Sequence, residues 1–135
     1  MLFKKKRLPG NQASGLWGEA VAGLYLKKQG FKILARRLKV GHDELDLVVR
    51  GEGCVVFVEV KTRRSRHFGA PASAVDRRKR HAVSRAAVHY LKKNLFPEES
   101  IRFDVVEVVG EPDDEPDINH IRNAFTLDRC FILPY

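Results

Sequence analysis

The stretch "CVVFVEVKTRR", Cys54 to Arg64, constrains the fold more than any other part of the chain. Val55, Val56, Phe57, Val58 and Val60 give both faces of an extended segment apolar side chains, the composition of a strand built for a protein interior. Glu59 and Lys61 stand at its end, two residues apart and therefore on one face. An isolated buried charge is costly. The end of this strand must then meet countercharges or emerge into a cleft.

The flanking segments supply the rest of a layered domain. "SGLWGEAVAGLYLKKQG" carries Leu16, Ala20 and Leu24, with Val21 and Tyr25 one step round, which is helical spacing with Ser14 as N-cap and Gly30 as terminator. "FKILARRLKV" reads as a strand of imperfect alternation. "ELDLVVR" and the Cys54 strand flank Gly51, Glu52 and Gly53, a hairpin connection. A polar loop, "TRRSRHFGAPAS", leads to a second helix predicted from about Ser73 to Asn94, with Val75, Lys79, Ala82, Val83, Ala86, Ala87, Tyr90 and Leu91 on one broad face. "IRFDVVEVVG" is a fourth strand, an acidic loop spans 111–118, and "INHIRNAFTL" fits a strand or a short helix. The order α-β-β-β-α-β predicts a single α/β domain over residues 1–135, a mixed β-sheet flanked by helices, half hairpin meander and half helical crossover. A basic arm, residues 1–12, is expected to be flexible.

Charge narrows the partner. The chain of 135 residues has a formal net charge of +8 and a pI near 9.8, which favours an anionic partner, nucleic acid before a membrane surface. Five acids gather between Glu111 and Asp117, so the remainder is more basic still, with clusters at Lys4 to Arg7, Lys61 to Arg66 and Arg77 to Arg80. No apolar run approaches the roughly 20 residues of a membrane span. No apolar signal segment follows the basic start, so a cytoplasmic location is expected. Cys54 and Cys130 show no metal-ligand spacing and read as free thiols. His42, His81, His89 and His120 show no spacing for zinc either.

The chemistry concentrates on two neighbouring strands. The hairpin brings the two strands alongside, so Asp46 meets Glu59 if the register is favourable, and two carboxylates held together need a proton, a cation or a metal ion. Mg²⁺ (or Mn²⁺) is commonly held by one or two carboxylates, waters and a substrate phosphate. Asp46 and Glu59 would be the ligands, and Lys61 would orient an attacking water or offset developing charge. A solvent-exposed Glu59–Lys61 salt bridge, worth about 0–1 kcal/mol, is the plain alternative. Arg63, Arg64 and Arg66 follow the site directly and suit phosphate contacts. Lys79 suits one too, or a snorkelling role on its helix. Asp104 is expected to pair with Arg102 rather than bind metal.

Asp46, twelve intervening residues and Glu59-Val60-Lys61 resemble the D…(D/E)-x-K signature of the restriction-endonuclease-like nuclease superfamily. More closely, "WGEAVAGLYLKKQGFKILARR", "DELDLVV", "VFVEVKTRR", "FG" and "RFDVVEV" resemble the YraN family of small bacterial proteins, over nearly the whole chain. The resemblance implies a restriction-endonuclease-like core, likeness to Holliday junction resolvases, a metal-dependent endonuclease activity on DNA, branched structures included, and a homodimer. It also assigns Glu19 as an auxiliary metal ligand from the first helix. Leu45 stands where the superfamily signature has Pro, and Asp43 where the family commonly has Gly. A non-catalytic nucleic-acid-binding module on the same core is the alternative.

Overall fold

The computed structural model describes residues 10–64, 75–94 and 100–131, with side chains from Gly15 onward. Its elements are α1 (Gly10–Lys28), β1 (Lys32–Val40), β2 (Asp43–Gly51), β3 (Cys54–Arg63), α2 (Arg77–Asn94), β4 (Ser100–Val109) and β5 (Asp117–Phe125), followed by a short 3₁₀ turn, Arg129–Phe131. One sheet runs in the order β1-β2-β3-β4-β5. Its first three strands form an antiparallel meander. The α2 crossover makes β4 parallel to β3, and β5 returns antiparallel to β4. The mixed α/β sheet of the sequence reading is therefore present.

Each face of the sheet carries one helix. Val55, Phe57, Phe103 and Val105 pack with Val83, Ala86, Ala87, Tyr90 and Leu91 of α2. Leu47, Val49, Val56, Val58, Val106 and Val108 pack with Ala22 and Leu26 of α1. The central strands β3 and β4 thus carry apolar side chains on both faces, as their Val and Phe content demands, with the buried Asp104 and Glu107 interrupting β4. Neither described helix is long and apolar enough to cross a membrane.

Several local expectations are corrected. The first helix begins at Gly10, so Ser14 lies inside it rather than at its N-cap, and residues 10–12 of the predicted arm are helical. Residues 1–9 lie outside the described residues. The buried stripe of α1 is Gly18, Ala22 and Leu26, while Ala20 is exposed and Leu24 is 59% exposed. Small residues decide this, because they let the helix axis approach the sheet, and a Cβ on Gly18 would collide with Oγ1 of Thr62 on β3.

The second helix starts at Arg77, and Asp76 caps it: its Oδ1 accepts the Lys79 N–H at 2.8 Å and its carbonyl accepts the Arg80 N–H at 2.9 Å. "INHIRNAF", of the stretch that fitted a strand or a short helix, lies in a strand, β5, which begins at Asp117 and shortens the acidic loop accordingly. The predicted hairpin at Gly51–Cys54 is a tight turn with φ of 52° at Glu52 and 76° at Gly53. Both central residues are left-handed, as the twist of a two-residue hairpin requires.

Candidate metal centre

The ladder between β2 and β3 runs from Gly51 opposite Cys54 to Leu47 opposite Val58 and stops there. The next positions are Asp46 and Glu59. In place of a ladder bond, the Val60 N–H donates to Oδ2 of Asp46 at 2.9 Å. Strict alternation also ends at this point, since Leu45 packs in the α2-side core with Val48, whereas Leu47 and Val49 belong to the α1 side. Across on β1, Arg37 takes a φ of 46° between the paired residues Arg36 and Leu38. The sheet is therefore irregular where its carboxylates gather.

Five elements deliver the side chains. Glu59, 12% exposed, shares a hydrogen bond with Asp46 and has its Oε1 3.4 Å from Nζ of Lys79 on α2. Glu19 arrives from α1, brought close by the contact of Gly18 with Thr62, and its Oε2 lies 3.5 Å from Nε of Arg37. Glu44 completes the group from β2. One carboxylate oxygen each from Glu19, Glu44 and Asp46 lies within 4.8 Å of the others.

Crowded, partly buried carboxylates hold protons more tightly than exposed ones. Burial, and then the neighbouring Asp46 charge, push the Glu59 carboxyl up to about 7. Burial raises Asp46 as well, against the Val60 N–H and Lys79, which favour its charged form. Glu19 is raised by burial and by Asp46, with Arg37 opposing. One guanidinium and one ammonium do not offset four carboxylates. A hard divalent cation would, and a donor set made wholly of carboxylate oxygens fits Mg²⁺ or Mn²⁺. Glu19, Glu44 and Asp46 would hold such an ion, with Glu59 beside Asp46.

The other expected site residues are distributed differently. Lys61 is half-buried, and the ammonium on Glu59 comes from Lys79 rather than from the neighbouring Lys61. Arg63 Nε lies 3.2 Å from the buried Glu107, and Arg64 Nε lies 3.7 Å from the exposed Glu111. Arg66 lies outside the described residues. Asp104 pairs with Arg102, as expected, through Nε at 2.8 Å and Nη2 at 2.9 Å, and takes a further bond from His120 at 2.7 Å. Asp43, unassigned by sequence, accepts both arms of Arg85 at 2.8 Å and ties β2 to α2. Sequence reasoning put Glu44 on the face of Asp46 by its i, i+2 spacing but left it as either a supporting group beside the site or an exposed charge.

Comparison with known proteins finds a match over most of the chain. The family described as "Uncharacterised protein family UPF0102" matches residues 18–108, a span that includes Glu19, Glu44, Asp46, Glu59 and Lys61. The chain is 47% identical to a UPF0102 protein of Trichlorobacter lovleyi over 119 residues, covering 87% of this chain and 94% of that one. It is 50% identical to a UPF0102 protein of Syntrophomonas wolfei over 117 residues, covering 85% and 99%. A UPF0102 protein of Nocardia farcinica is 41% identical over 119 residues, covering 88% and 94%.

Proposed function

The chain belongs to the UPF0102 family, the YraN family, and we propose that it is a divalent-cation-dependent phosphodiesterase that cuts DNA. The observation that carries the reading is the convergence of Glu19, Glu44 and Asp46, with Glu59 beside Asp46, where the β2–β3 ladder ends. Such a cluster, in which Glu19, Asp46 and Glu59 hold protons more tightly than usual, is poorly satisfied by Arg37 and Lys79 alone. When bound, Mg²⁺ or Mn²⁺ would polarise a phosphoryl oxygen and acidify a water.

The chain's own residues would do the rest. Asp46 is fixed by the Val60 N–H, so it keeps its orientation with or without a ligand. Glu59, beside Asp46, would give up its Lys79 partner and its proton if an ion bound there. Lys79 is thereby released toward an arriving phosphate, and Lys61, on the same face of β3 as Glu59, supplies the second ammonium. Arg64, exposed beyond the strand end, extends the basic path for a nucleic-acid backbone.

Four-way junction, flap and linear DNAs incubated with the protein in Mg²⁺ or Mn²⁺ test the reading. Cleavage by the wild type that disappears in Glu59→Ala and Lys61→Ala is expected. Cleavage that persists in both variants overturns the mechanism. Binding that falls steeply with salt, without cleavage in either metal, indicates instead a non-catalytic nucleic-acid-binding module on this fold.

A further inference from the structure

Away from the carboxylates, the chain brings together three donors that are far apart in sequence. His81 lies near the start of α2, Asp128 just after β5, and Cys130 in the 3₁₀ turn. His81 Nδ1 is 3.0 Å from Asp128 Oδ2, Cys130 Sγ is 3.3 Å from Asp128 Oδ1, and Cys130 Sγ is 3.9 Å from His81 Nδ1. We propose that His81, Asp128 and Cys130 form a second metal site, for a borderline transition cation of the Zn²⁺ class.

The distances favour an ion over a catalytic relay. In a nucleophile–base–orienter chain, the imidazole uses one nitrogen toward the thiol and the other toward the carboxylate. Here the same nitrogen, Nδ1, faces both partners, so His81 cannot relay a proton between them. Zn–S near 2.3 Å and Zn–N or Zn–O near 2.1 Å imply ligand-to-ligand edges of about 3.3–3.6 Å in a tetrahedron. The 3.9 Å between Cys130 Sγ and His81 Nδ1 is a few tenths of an ångström from such an edge, and the Asp128 carboxylate faces both atoms, one oxygen toward each, so a small adjustment would seat an ion.

The frame for those adjustments is already built. The Asp128 N–H donates to Oγ of the fully buried Ser84 at 3.1 Å, the Phe131 N–H donates to the Asp128 carbonyl at 2.9 Å, and the Phe131 ring lies 5.0 Å from that of His81. A cavity of about 590 Å³, lined by Arg77, Arg78, His81 and Asp128, borders the cluster and leaves a fourth coordination position for water or an anion. The mixed S, N, O donor set selects Zn²⁺ or Co²⁺ over Mg²⁺. It differs in that respect from the all-oxygen cluster on the sheet.

That difference makes the test specific. The full chain is titrated with Co²⁺ and followed by absorption, since thiolate ligation gives an intense near-ultraviolet charge-transfer band that carboxylate sites do not. The expected result is a band that saturates at one cobalt per chain, persists in Cys54→Ser and Asp46→Asn, and is lost in Cys130→Ser and His81→Ala. In the wild type, Zn²⁺ should also slow alkylation of Cys130 without protecting Cys54. A titration with no such band, a band that survives Cys130→Ser, or equal alkylation of Cys130 with and without Zn²⁺ overturns the proposal. None of these readouts depends on DNA cleavage.

Discussion

The N–H of Val60 donates to the Asp46 carboxylate at 2.9 Å, so a side chain takes the place that a ladder carbonyl would fill one residue earlier in the sheet. Asp46 therefore has a structural duty beside the metal-binding one proposed for it, and two substitutions separate them. Asp46→Asn keeps an acceptor for Val60, whereas Asp46→Ala leaves a partly buried N–H without one, at a cost of about 1–3 kcal/mol. Urea unfolding should find the Asn variant near wild-type stability and the Ala variant destabilised. Calorimetric titration with Mn²⁺ should show weakened binding in both.

Stability without metal should depend on pH through Glu59. Its carboxyl titrates at about 7 in the folded chain against an ordinary value of 4.5, so between those values the folded state holds the extra proton. Stability therefore falls as pH rises from about 4.5 to about 7 and levels off above. Glu59→Gln should flatten that limb. Saturating Mn²⁺ should raise the high-pH end of the wild-type curve and leave the Gln variant little changed, as thermal unfolding across pH would record.

Gly18 sets how closely α1 approaches β3, and through it the position of Glu19. A methyl group at residue 18 meets the Thr62 side chain, so Gly18→Ala should cost about 1–3 kcal/mol by overpacking and weaken Mn²⁺ binding by moving the neighbouring carboxylate. Gly15, on the same helix, has nothing within 4 Å of an added Cβ. There the usual gain of about 0.5–1 kcal/mol for replacing a helical glycine with alanine is expected. Opposite signs in thermal unfolding would separate contact from helix propensity.

This glycine also shows where sequence reading stopped. The Val and Phe runs of β3 and β4, and the turn at Glu52 and Gly53, are local patterns that announce a mixed sheet and its hairpin directly. Asp46 and Glu59 were legible for the same reason, since a hairpin converts sequence separation into adjacency. The α1 stripe was not, because apolar periodicity favours Leu16, Ala20 and Leu24, while the buried face is chosen by small residues that permit close approach. Lys79 against Glu59, and Glu19 beside Glu44, depend on how helices dock across the sheet, which spacing along one element does not encode.

Asp104 should govern the acid limb of the stability curve. It is fully buried, and although burial works against its charge, the bonds from His120 and Arg102 and the Asn123 N–H at 3.0 Å hold its carboxyl below the ordinary 3.8. A depressed folded value means stabilisation that is present above about 3.8 and lost as pH falls below it, opposite in sign to Glu59. His120 passes the network on to Tyr25 of α1, whose hydroxyl lies 3.0 Å from its Nδ1, so the cluster clamps β4 and β5 to the first helix. Asp104→Ala leaves Arg102 with Glu52 as its remaining partner and His120 with Tyr25, and should cost about 3–5 kcal/mol. Urea unfolding between pH 3 and pH 6 should show the wild type losing stability steeply at the acid end and the variant starting lower with a shallower slope; an unchanged slope would mean that Asp104 is not the group titrating there.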